Sequence, residues 1–223
     1  MLREFSPKQR WLVFVISLPA IFISFLSSLA FPDAEKYRLS FWLVDTIVFV
    51  VLPLATVLLI YVVAKIEPKD YGLTQLSRNT TEGAALFKTC VCIFIFLLFT
   101  PLTNFFGIFF SPTTNTEESY FSLMLSGQFG FIARLYLSLS AAFAEEIIFR
   151  GVLALVLVGK DCSDKYLYVI GSSLLFALGH FNQGLHVVFA AAVLGVMAAI
   201  IYLKIKNLWY LILGHFVIGL VSY

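Results

Sequence analysis

Glu145, Glu146 and Arg150 lie inside an apolar run, from Phe131 to Val158, that has the length and composition of a membrane-spanning helix. An ionised side chain near the centre of a bilayer costs at least about 2.5–3.5 kcal/mol, so a cluster of them excludes a lipid-facing surface. The three must face a protein-lined or watery interior, which makes them a candidate site. On an α-helix, residues four apart share a face, so Glu146 can pair with Arg150. Pairing reduces the burial penalty of both ions. Glu145 lies about 100° around the axis from Glu146 and has no such local partner. A carboxyl held there can accept and return a proton, which is the chemistry of a general base. The alternative is a charge cluster that locks helices together.

Two histidines belong with these acids. Phe176-Ala177-Leu178-Gly179-His180 is followed by Phe181-Asn182, and the last apolar segment carries Gly214-His215. Alone, either histidine serves equally well as an interhelical hydrogen-bond donor or as a catalyst. Counted from the ends of their segments nearest the basic connectors, Glu145 lies about 20 Å deep, His180 about 21 Å and His215 about 12 Å. Acids and histidines from three segments can therefore converge in one cavity. His186 has no motif around it and reads as structural.

Seven apolar segments must position these groups, each close to the roughly 20 residues that a bilayer demands. They run approximately over 11–31, 41–64, 84–110, 130–158, 166–182, 185–203 and 207–222. The chain is 61% hydrophobic and 13% charged, against roughly 45–50% and 25% in soluble domains, and its mean hydropathy is +0.95. The expected fold is an all-α membrane protein, a polytopic bundle of about seven transmembrane helices around an intramembrane polar cavity. Residues 1–223 form a single transmembrane domain, with the motif-bearing core at about 130–223. A net charge of +2 without a basic block gives no reason to expect nucleic acid as a partner. Cys90, Cys92 and Cys162 form neither a disulfide framework nor a metal signature.

Lysine and arginine placement orients the bundle. With the N-terminus inside, Arg3, Lys8, Arg10, Lys65, Lys69, Arg78, Lys160, Lys165, Lys204 and Lys206 fall on the cytoplasmic side, and only Lys36 and Arg38 outside. The loop from Ser111 to Gln128 carries Glu117 and Glu118 and no basic residue. On this orientation the Asn79-Thr80-Thr81 sequon is a chance match. The apolar stretch from Trp11 to Leu29 exceeds the roughly 7–15 residues of a signal core, which favours a retained first helix over a cleaved signal at Ser28-Leu29-Ala30.

Glu-Glu-x-x-x-Arg at 145–150, Phe-x-x-x-His at 176–180 and the final His215 segment, in that order, resemble the CPBP family of intramembrane proteases. These are the CAAX-prenyl-protease and bacteriocin-processing proteins, also called Abi, which include the Ras-converting CAAX endopeptidase. The resemblance runs from about Phe131 to the C-terminus. It implies helices enclosing a conical, water-accessible cavity, and peptide-bond hydrolysis with no cofactor and no required metal. By the same resemblance Glu145 is the general base that activates water, aided by His180. Glu146 and Arg150 order the site, Phe176 packs beside it, and His215 helps to bind the oxyanion. One position departs from the pattern. The family's last motif reads His-x-x-x-Asn or a related polar residue, and here Gly219 stands in the last place. Loss of one oxyanion donor typically costs about 10²–10³ in rate. Asn182 is a candidate substitute.

The resulting expectation is an intramembrane endopeptidase acting on a membrane-associated or leader peptide, lipidated or not, in a bacterial inner membrane. A second enzyme reading adds zinc on Glu146, His180 and His215. A third is a catalytically weak or inactive membrane scaffold or immunity protein, which Gly219 favours. A transporter using Glu145 for proton coupling is disfavoured by the lack of an internal repeat.

Overall fold

The computed structural model describes residues 5–30, 39–75, 80–110, 127–158 and 162–222. Arg3, the Pro32–Arg38 connector, Arg78, Asn79, most of the Ser111–Gln128 loop with Glu117 and Glu118, and Lys160 lie outside them. Part of the charge asymmetry lies outside with them.

The described residues are helical with no strand. They form α1 (Pro7–Ala30), α2 (Leu39–Thr46), α3 (Leu52–Leu59), α4 (Glu82–Leu97), α5 (Phe99–Phe110) and α6 (Gly127–Glu145). Then follow α7 (Leu153–Leu157), α8 (Cys162–Leu178), α9 (Leu185–Ile205) and α10 (Leu208–Ser222). Several of these are pieces of longer rods. The π turn Ile47–Val51 joins α2 to α3, and a second π turn, Ile60–Ala64, prolongs α3. The π turn Glu146–Val152 joins α6 to α7. Each of the seven apolar runs is thus helical, with ends within a few residues of those expected from hydropathy.

Among the described residues, three helices are long and apolar enough to cross a membrane: Phe41–Ala64, Glu82–Phe110 and Leu185–Ile205. Leu208–Val221 is a shorter apolar helix. Leu54, Leu58, Val62, Leu86, Phe87, Phe94, Ile108 and Phe109 are all exposed. So large an outward apolar surface suits lipid rather than water. The chain is an integral membrane protein.

Helix ends are set by local chemistry. Thr81 caps α4, its hydroxyl accepting from the Ala84 amide at 3.4 Å. Lys65 and Lys206 end their helices in the left-handed conformation, at φ 56° and 54°. Pro101 supplies no amide hydrogen for the Leu97 carbonyl one turn back, and the helix is interrupted at Leu98 alone by a turn.

A short strap closes one end of the bundle. The 3-10 turn Pro68–Tyr71 is fixed to the connection between α9 and α10. Tyr202 Oη donates to the Tyr71 carbonyl at 3.0 Å, and Asn207 Nδ2 to the Gln75 carbonyl at 3.1 Å. The Leu208 amide donates to the Gly72 carbonyl at 2.9 Å. Tyr71 is fully buried there. Burial, with the Asp70 carboxylate adding to it, pushes its phenol above the ordinary range and keeps it neutral.

Candidate functional site

The motif helix changes its winding at the motif. Regular α-helix ends at Glu145, the backbone runs as a π-helix from Glu146 to Val152, and α-geometry resumes at Leu153. Every residue of the π turn is buried. Such turns bond i to i+5 and collect at functional sites.

Within that turn Arg150 Nε lies 3.4 Å from Glu146 Oε2, and both side chains are 0% exposed. The ion pair expected from the four-residue spacing is present. It lacks hydrogen-bond geometry, and none of the guanidinium nitrogens finds a hydrogen-bond partner among the described residues. The guanidinium rests on Phe176, with Cζ 4.2 Å from the ring centroid. That is a cation–π contact, which gains strength when desolvated.

His215 arrives from α10 and touches both acids. Its Nδ1–H donates to Glu146 Oε1 at 2.9 Å, while Nε2 lies 3.7 Å from Glu145 Oε2. Glu145, without a partner on its own helix, therefore has one on another. Burial separates the two acids. Glu146 is sealed, whereas Glu145 is 16% and His215 14% exposed.

The position of His215 is fixed from two sides by glycines that let α10 wedge between α4 and α6. A Cβ on Gly214 would stand 2.8 Å from the Cys92 carbonyl oxygen of α4. A Cβ on Gly219 would stand 2.9 Å from both Cβ and Oγ of Ser138 on α6. Gly219 thus has a packing reason. The place a side chain there would occupy is filled by the buried Ser138 hydroxyl, which has no hydrogen-bond partner among the described residues. Aromatic rings complete the seat. Phe96 stacks on His215 with centroids 5.1 Å apart and planes at 22°, and Phe176 meets it edge-on at 6.1 Å.

His180 stands just past the end of α8. Its Nδ1 is 2.9 Å from the Phe176 carbonyl oxygen. A carbonyl only accepts, so Nδ1 carries the hydrogen and Nε2 keeps the free lone pair. The ring lies 4.8 Å from Phe176 and 6.4 Å from Phe99. Phe176 therefore touches Arg150, His180 and His215 at once. Among the described residues no hydrogen bond or ion pair joins His180 to Glu145. Asn182 lies in the exposed 3-10 turn Phe181–Gln183, and Ser138, not Asn182, is the polar residue that meets Gly219. His186 shares in none of these contacts.

Among the described residues no three His, Cys, Asp or Glu side chains are grouped to hold a metal ion. Five residues absent from the sequence motifs contribute to the site: Phe96, Phe99, Ser138, Tyr168 and Ser172. The last two carry a signal, since 168, 172, 176 and 180 are spaced by one helical turn each.

Residues 126–221 match the model of a family described as type II CAAX prenyl endopeptidase Rce1-like. This is the family that the three motifs resemble. Comparison with curated proteins finds no match, and neither does comparison with solved structures.

Proposed function

We propose, on the premise that residues 126–221 are those of an Rce1-like CAAX protease, that the chain is an intramembrane endopeptidase in which Glu145 activates the attacking water. The observation that carries the assignment is the unequal burial of the two acids: Glu146 is sealed against Arg150 and His215, whereas Glu145 is partly exposed and its Oε2 has no hydrogen-bond partner among the described residues. Glu145 takes a proton from water as the oxygen attacks a peptide carbonyl, then passes it to the leaving amine. The free Nε2 of His180 accepts a hydrogen from the same water and orients it. With Nδ1 committed to Glu146, His215 can meet the developing oxyanion only through Nε2, and only in the form that carries a hydrogen on that nitrogen as well. Glu146 and Arg150 hold His215 rather than touch substrate.

The substrate is a peptide or a prenylated protein tail embedded in the membrane, and no cofactor takes part. In this reading seven helices span the bilayer, the N-terminus is cytoplasmic, and the membrane is a bacterial plasma membrane. Gly219, which prompted the scaffold reading, is accounted for by the close approach of Ser138. The test is Glu145→Gln in the full chain, with cleaved membrane peptides compared against wild type. The expected result is loss of cleavage by about 10²–10⁴-fold at unchanged expression, and full retained cleavage would remove the mechanism.

A further inference from the structure

The motif sits on a π turn, and π turns need an outside reason to persist, because the same residues could bond as ordinary α-helix. The reason is on α8. Tyr168, Ser172 and Phe176 recur every four residues along one face of that helix, and His180 follows at the same spacing. Tyr168 Oη donates to the Arg150 carbonyl at 3.2 Å, and Ser172 Oγ donates to the Phe149 carbonyl at 2.6 Å. Both hydroxyl residues are fully buried, as is Arg150. Around them the backbone is irregular: the Leu153 amide is shared between the Arg150 and Ile148 carbonyls.

We propose that Tyr168 and Ser172 are positioning residues, whose hydroxyls hold Glu146–Val152 in its π register and so aim Glu145 and Glu146 at His215. The geometry makes the register consequential. A π turn accommodates one residue more than the α-helix it interrupts, so its collapse would rotate α6 against α7 by about 100°. Arg150 is tied to α8 through Phe176, on the downstream side. The acids at the upstream end are tied to α10 through His215. An α-helical segment cannot satisfy both, and one set of contacts must be lost. This inference rests on the protease reading for its effect on rate, but not for its effect on geometry.

The experiment therefore has two readouts on the full chain in detergent. Tyr168→Phe and the double variant Tyr168→Phe/Ser172→Ala remove the donors and leave ring and helix in place. The first readout is cleavage. A catalytic group misplaced by about 1 Å can cost 10²-fold, so the double variant is expected to lose about that factor in kcat with KM nearly unchanged. The second is the ring ¹⁵N signals of His215 in histidine-labelled protein, identified by their loss in His215→Gln. In the double variant they are expected to move toward the position seen in Glu146→Gln. Unmoved His215 signals overturn the proposal, including where cleavage falls, because the loss would then be general destabilisation. If the double variant does not fold, Tyr168→Phe alone is read in the same way. Signals that move while the wild-type protein cleaves nothing uphold the positioning role and remove the protease reading.

Discussion

Gly219 shows how a single position can be misread when its neighbours are unknown. By motif it is a missing polar group; by packing it is the contact that seats His215. A Cβ there would meet Ser138 at 2.9 Å, closer than a real Cβ packs. Restoring the usual residue with Gly219→Asn should therefore harm the protein. The expected outcome is a loss of about 1–3 kcal/mol, the typical cost of overpacking, read as a lower unfolding temperature, together with lower cleavage. Ser138→Gly in the same chain removes Cβ and Oγ and should recover most of the loss. If Gly219→Asn instead raises activity with no change in stability, the close contact is not what keeps glycine at 219. The acids and histidines themselves were legible from residue types, because ionisable groups in an apolar run have few tolerable places to go. Their partners were less so. His215 lies 69 residues from Glu146, and no periodicity within one helix could assign it to both acids.

At the scale of elements, hydropathy marked each helical run to within a few residues, since the apolar stretch and the helix have the same cause. The winding inside those runs was not readable the same way. Angular positions around 145–150 follow α-periodicity only if the segment is α, and hydroxyls on another helix decide that it is π. The break between α4 and α5 had a visible sign in Pro101, yet its purpose emerges only in three dimensions. Phe96, before the break, stacks on His215, and Phe99, after it, lies edge-on to His180. Proline in a helix interior costs about 3 kcal/mol relative to alanine; the turn at Leu98 leaves Pro101 in the first turn of α5, where that cost is reduced but not removed. Pro101→Ala is expected to raise the unfolding temperature while lowering kcat, because closing the turn at Leu98 would shift Phe99 relative to Phe96. Thermal unfolding followed alongside cleavage checks both signs. A variant that gains stability and keeps full activity would show that the break has no part in the site.

For the whole molecule, the matched segment 126–221 does not contain everything that shapes the site. Phe96 and Phe99 come from earlier helices, Cys92 forms one wall of the α10 seam, and the Pro68–Tyr71 strap fixes the connection from which α10 starts. The first half of the chain is part of the centre that the second half defines. Glu146 adds a matter of timing. Its two partners do not leave the ribosome together: Arg150 follows four residues later on the same helix, and His215 follows after 69. At about 5–20 residues per second, 69 residues take about 3–14 s, during which only the guanidinium can escort the acid into the membrane. Arg150→Leu should therefore lower the amount of protein recovered in membranes, whereas His215→Gln should leave the yield intact and remove cleavage. Equal yields for the two variants would refute this order of need. The ion pair that looks redundant beside the histidine in the finished protein is then the one that lets the chain be built.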